Sequence, residues 1–252
     1  MRTLITCCVL LLATLGYSGS LALDKEALTR AITGPDRDVT DYVRDAVRKP
    51  VEVLDFLGLE PGMTVLDLYA AGGYYTFILS KAVGPNGIIF AQNTPRGLRF
   101  EEDRQDITQG EALEAKIQQG NLTNVSHIVR PLAEIALPPI SIDMVILAQT
   151  LHDWYNPQPA RVLERLLQVK ALLKPGGVVG ITDHIGLEGR DNRSMHRMQK
   201  QQAIDIAEQA GFLVVGDSDI LNSRINDHTR SIFDPRLNRN TDRFLLKLQK
   251  PE

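Results

Sequence analysis

Residues 64–77 read Thr64-Val65-Leu66-Asp67-Leu68-Tyr69-Ala70-Ala71-Gly72-Gly73-Tyr74-Tyr75-Thr76-Phe77. The first six positions form a short, nearly continuous apolar run, the pattern of a parallel strand buried on both faces. Two glycines follow at once. Glycine lacks a Cβ and tolerates positive φ, so Gly72 and Gly73 suit a sharp turn against which a ligand can lie close to the backbone. From Tyr74 the pattern becomes helical to residue 83. Strand, glycine turn and helix make the opening half of a parallel crossover unit.

The rest of the chain repeats that alternation. Strands are predicted over 87–92, 125–129, 142–148, 178–182, 212–218 and 242–248, and helices over 108–119, 159–173 and 194–210, the last closed by Gly211. Residues 95–104 read as irregular. Upstream, 23–50 reads as polar-faced helix, with Asp38 or Thr40 as a cap and Pro50 as a stop. Residues 51–57 make a short amphipathic helix ended by Gly58. We expect this segment to act as a lid or brace. Alternating strands and helices imply a mostly parallel, doubly wound α/β sheet covered on both faces. Only a loop separates the sixth and seventh strands, whereas a parallel crossover needs a dozen or more residues. The last of the seven strands is therefore expected to run antiparallel.

Composition is that of an ordinary globular protein: 252 residues, 43% hydrophobic and 23% charged, with a formal net charge of −3. No basic run marks a nucleic-acid face. The first residues differ. Arg2 precedes an apolar run over 4–15, and Ser20-Leu21-Ala22 places small residues around a cleavage site. This is the layout of a secretory signal peptide, and a run of twelve falls short of the ~20 residues that span a bilayer. The expected organisation is a signal peptide at 1–22, a helical segment at 23–58 and one domain at 59–252. Cleavage would remove Cys7 and Cys8, the only cysteines. The expectation is a periplasmic or secreted protein without stable membrane insertion. No apolar surface stripe indicates an oligomeric state.

Pro61-Gly62-Met63-Thr64-Val65-Leu66-Asp67 at the first strand and Leu172-Leu173-Lys174-Pro175-Gly176-Gly177 at the fifth resemble the class I S-adenosylmethionine-dependent methyltransferases. The resemblance runs from about residue 51 to 251. More narrowly, three segments resemble exported bacterial proteins described as predicted methyltransferases: residues 70–76, Leu151-His152-Asp153-Trp154, and the tail from Ser218-Asp219 through Phe233-Asp234-Pro235 to Thr241-Asp242-Arg243-Phe244. The resemblance implies a Rossmann-like fold with S-adenosylmethionine as cofactor. It places the cofactor on Asp67, Tyr69, Ala71, Gly72 and Gly73, on Gln92 and Asn93 after the second strand, on Glu134 after the third and on Gln149 after the fourth. The sequence departs from the family at several of these. Tyr69 and Ala71 stand where the family has glycine, Asn93 where it has the ribose-binding acid, and Leu132 where an acid often faces adenine.

Methyl transfer to a hydroxyl or phenol needs alignment and a base, for which histidine is suited near neutral pH. His152 and Asp153 follow the fourth strand, Asp183 and His184 end the fifth, and His196 opens the next predicted helix. These strand ends lie together in a parallel sheet, so His152, Asp153, His184 and His196 are the candidate catalytic residues. The alternative for His152 and Asp153 is a helix cap, and for His184 an exposed loop position. His228 is a weaker candidate, and His127, inside a strand, reads as structural. Trp154, Tyr155, Tyr74 and Tyr75 offer aromatic surface. Arg224, Asp227, Arg230 and Arg236 form a charged loop. No pair shows the His-x-x-x-His spacing, so no metal site is assigned. The readings carried forward are a methyltransferase acting on a small molecule, a non-catalytic exported binding protein with the same fold, and a metal-assisted activity of the His/Asp cluster.

Overall fold

The computed structural model describes residues 22–102, 106–223, 226 and 228–252. The signal-peptide expectation falls outside the described residues, apart from Ala22, as do Arg224 and Asp227 of the charged loop. Among the described residues no helix is long and apolar enough to cross a membrane.

The core is one seven-stranded sheet. Its strands are β1 (Thr64–Leu68), β2 (Ile88–Asn93), β3 (Val125–Val129), β4 (Ile142–Ala148), β5 (Leu173–His184), β6 (Leu213–Ser218) and β7 (Arg243–Gln249), in the order β3-β2-β1-β4-β5-β7-β6. Strands β1 to β5 pair in parallel, and β7 enters between β5 and β6 antiparallel to both. The order reverses between β1 and β4, which opens the crevice where ligands bind in open α/β sheets.

Helices α1 (Lys25–Ile32), α2 (Val39–Arg48), α3 (Pro50–Leu57), α4 (Tyr74–Val83), α5 (Gln109–Gln119), α6 (Leu151–Tyr155), α7 (Pro159–Leu172) and α8 (Lys200–Gln209) cover the two faces. The alternation along each strand divides the core. Leu66, Leu68, Val145 and Leu147 pack with α6, α7 and α8, while Val65, Met144 and Ile146 pack with α1, α3 and α4.

The upstream segment is two helices and not one from 23 to 50. Asp24 caps α1, and Asp38 caps α2 through the Thr40 amide. Helix α3 is part of the sheet's cover: a Cβ on Gly180 would lie 2.3 Å from Leu57 Cδ1, so only glycine lets β5 and α3 meet this closely. The helix predicted over 194–210 is shorter, starting at Lys200. Ahead of it the chain is diverted. Asp191 takes the Ser194 amide, His196 turns left-handed at φ 52°, and Met198 donates to His184 O. Conversely, a short helix not anticipated, α6, carries both His152 and Asp153. Thr150 occupies its N-cap position, so neither residue is the cap.

Candidate active site

One cavity of about 760 Å³ opens over the carboxyl ends of β1, β4 and β5. That volume lies within the ~300–1,000 Å³ usual for small-molecule sites. It is lined by Asp67 in β1, by Tyr69, Ala71 and Gly72 after it, by Asn93 at the end of β2, by Gln149 after β4, and by His152, Asp153, His184 and His196. Gly73, Gln92 and Glu134 do not line it. Glu134 sits exposed beyond β3, and Leu132 beside it is buried in the core.

The turn after β1 keeps a glycine-like path without the glycines. Tyr69, Ala71 and Gly73 have φ of 59°, 49° and 84°. Two side chains at the end of β2 hold it there. Gln92 Oε1 accepts from the Tyr69 amide at 3.2 Å and its Nε2 donates to Arg130 O at 2.6 Å. Asn93 Oδ1 accepts from the Ala71 amide at 2.9 Å and its Nδ2 donates to Ala71 O at 3.2 Å. The two polar residues at the end of β2 therefore brace the loop. Gly72 leaves room for Glu102, whose Oε2 would stand 1.8 Å from any Cβ added there. Glu102 is held by Arg44 at 3.1 Å, and Arg44 also pairs with the buried Asp41. Asp67 accepts from Thr76 Oγ1 at 2.6 Å, and burial raises its pKa to about 6.

The catalytic candidates are joined through Asp183. This buried carboxylate accepts from the His152 amide at 2.8 Å, lies 2.7 Å from His152 Nδ1, and accepts from the His184 amide at 2.7 Å. It thus fixes the ring of His152 and leaves Nε2, buried without a hydrogen bond, on the side of Asp153. Asp153 Oδ1 lies 3.2 Å from that Nε2, close enough for an ion pair but not aligned as a hydrogen bond. The same oxygen is 3.1 Å from His196 Nδ1. Burial alone would lower the pKa of His152, but Asp183 and Asp153 outweigh it and raise it to about 10. His184 is buried and not exposed. Burial first, then the charges of Arg243 and His152, hold its pKa well below 6.5, and its Nδ1 meets Thr241 Oγ1 at 2.8 Å. One ligand atom each from His152, Asp153 and His196 lies within 4.8 Å of the others.

Trp154, Tyr74 and Tyr75 line the cavity, and Tyr155 does not. Trp154 stacks edge-on against Tyr69 at 5.0 Å, under the Arg165 guanidinium. His228 pairs with Asp242 at 2.9 Å outside the cavity, and His127 is half-buried on β3. Sequence reasoning missed Arg48 and Arg243, which line the cavity from α2 and β7. Arg243 had a visible signal: a charged residue opening an otherwise apolar strand, Arg243-Phe244-Leu245-Leu246.

The chain is 30% identical over 118 residues to demethylmenaquinone methyltransferase of Lactococcus lactis, a match covering 47% of this chain and 40% of that protein. It is 29% identical over 129 residues to arsenite methyltransferase of Halobacterium salinarum, covering 51% and 29%. The chain thus matches well under half the length of either curated relative. Among solved structures it resembles an S-adenosylmethionine-dependent methyltransferase from Aquifex aeolicus, with a TM-score of 0.60, 23% identity, and coverage of 90% of this chain and 98% of that one. No family model matches the chain. The architecture is the Rossmann-like methyltransferase fold.

Proposed function

We propose that the protein is an S-adenosylmethionine-dependent methyltransferase acting on a small molecule. One observation carries this reading: a single cavity joins the turn after β1, whose left-handed path survives without its glycines, to a buried His152–Asp183 pair. The two matched relatives, both named as methyltransferases, support it.

The residues present fit the cofactor. The positive-φ turn at Tyr69–Gly73 lets a ligand lie on the backbone of Ala71 and Gly72, and Asp67 and Gln149 flank that surface. S-adenosylmethionine, when bound, supplies the methyl group. The protein's own work is to orient the acceptor, exclude water and hold a proton. His152 does the last. With both carboxylates beside it, it is cationic at neutral pH and not yet a base. An acceptor hydroxyl that takes the place of Asp153 at Nε2 removes one of the charges raising the pKa. His152 then releases its Nε2 proton to Asp153 or water, and the neutral imidazole takes the hydroxyl proton while Asp183 holds the imidazolium that results. The signal-peptide pattern supports an exported enzyme of the predicted-methyltransferase type.

Titration of the purified protein with S-adenosylmethionine by calorimetry tests the reading. Saturable heat at micromolar donor is the expected result, and no heat at millimolar donor would leave a non-catalytic binding protein with this fold.

A further inference from the structure

The strands that build the cavity also carry it past the catalytic pair, to β7. Arg243 opens β7 and pairs in register with His184. It is 3% exposed. Its terminal nitrogens donate to Val47 O at 3.1 Å and Arg239 O at 2.7 Å, while its Nε is buried without a partner. Arg48, the last residue of α2, lies over the Tyr74 ring at 4.2 Å. Among the described residues it has no hydrogen bond and no ion pair. Tyr75 on α4 lines the same end of the cavity, and its hydroxyl likewise has no partner among the described residues.

These groups sense one another. Burial first, and then the charge of Arg48, lower the pKa of Arg243 to about 10. Burial, against the pull of Arg48 and Arg243, raises Tyr75 to about 12. The neighbouring carboxylates are already engaged. Asp45 is held by Arg37 at 3.1 Å and Tyr74 at 2.6 Å, and Asp183 by His152 and His184. Arg44, the third arginine nearby, is neutralised by Asp41 and Glu102. Arg48, Arg243 and Tyr75 therefore line the cavity without a direct ion pair or hydrogen bond to a carboxylate among the described residues. Charge buried without a partner is costly, and an anion entering the cavity relieves it.

We propose that Arg48, Arg243 and Tyr75 form a subsite for an oxyanion, a carboxylate or phosphate, carried by the methyl acceptor. The word acceptor rests on the methyltransferase reading; the oxyanion site itself does not. The place of Arg243 in the sheet favours the acceptor over the donor's own carboxylate. Strand β7 is three places from β1 in the sheet, about 14 Å at ~4.8 Å per strand. The His152 ring lies between, 5.7 Å from that of His184. An acceptor anchored here by its anion would reach back towards His152 Nε2.

The test is thermal unfolding of the full chain against inorganic phosphate and acetate, at ionic strength matched with chloride, with and without saturating S-adenosylmethionine. The wild type should show a saturable rise in melting temperature. Arg48→Gln and Tyr75→Phe should weaken the apparent affinity at least about tenfold. Neither side chain supports the fold by a hydrogen bond, so both variants should remain folded. Arg243→Gln removes two bonds to backbone and is the less safe variant. The response should persist with donor bound. An equal response in the variants, no response to either anion, or a response abolished by donor would overturn the proposal. If the anions bind and S-adenosylmethionine does not, the subsite stands and the methyltransferase reading falls.

Discussion

Replacing His152 by glutamine should flatten the pH dependence of stability between pH 7 and 9.5. His152 is 2% exposed, and Asp183 and Asp153 overcome its burial to hold its pKa at about 10, against 6.5 ordinarily. A histidine whose folded pKa is raised contributes stability that is complete below its unfolded pKa and is lost as pH rises through the folded value. At ~1.36 kcal/mol per pKa unit, the rise to about 10 is worth about 5 kcal/mol at acid pH. Integrating the linkage, about 3 kcal/mol of that disappears between pH 7 and 9.5. Glutamine can still donate towards Asp183 but cannot take a proton. Urea denaturation of both proteins at the two pH values gives the comparison, and the difference between them cancels the tyrosines and lysines that titrate in the same window. The wild type should lose about 3 kcal/mol more than the variant. A difference below about 1 kcal/mol would refute the claim that Asp183 and Asp153 hold His152 as a cation. At pH 7 the variant should itself be destabilised by about 3 kcal/mol, because Asp183 stays buried without its cation. Loss of turnover in a His152 variant is therefore not diagnostic alone.

Asp153 separates chemistry from stability better, since its side chain is half exposed. Asp153→Asn removes a charge beside Nε2, lowers the pKa of His152 and should move the acid limb of the rate profile to lower pH; an unmoved limb excludes His152 as the base. Ala71→Gly should stabilise the fold by up to about 1 kcal/mol in urea denaturation, because glycine adopts φ 49° freely, and a loss of stability would contradict the strain assigned to that turn. Gly72→Ala should cost about 1–3 kcal/mol in urea denaturation, since its Cβ displaces Glu102 from Arg44; a neutral substitution would mean the loop is looser than described.

The strand and helix alternation was legible because β1, β2 and β4 contain short apolar runs and several turns carry their own glycine or cap. The antiparallel β7 was legible from what is missing between it and β6. The clustering of His152, Asp153, His184 and His196 followed from parallel topology, which places the ends of β4 and β5 side by side. Asp183 as the hub did not follow. It lies inside β5, and only the register β4·β5 brings its carboxylate under the His152 amide. The diverted segment ahead of α8 was illegible for a related reason. Its helical periodicity is real, but pairing of Ile185 with Met198 just beyond the end of β5 wins. Arg48 and Arg243 were missed because their proximity depends on α2 docking against β7, a contact between residues 47 and 243 that no local pattern encodes.

The departures at Tyr69 and Ala71 carry the last step. Read as letters, they remove two glycines from the turn that grips the cofactor in this fold. Read as backbone, they remove nothing, because both residues take positive φ as glycine would. That conformation costs about 1–2 kcal/mol for each L-residue, so something must hold it. Gln92 and Asn93 do, by bonding the Tyr69 amide and both backbone groups of Ala71. The amide at position 93 and the residue at position 71 therefore act together, the one holding the backbone path that the other takes. An aspartate at 93 would place a carboxylate against Ala71 O, where the amide now donates. Of the ten non-glycine residues with positive φ among those described, Tyr69, Ala71, Gln149, His196 and Arg239 line the cavity. Strain gathered at one cavity and braced from outside is the pattern of a site kept for use rather than a decayed turn.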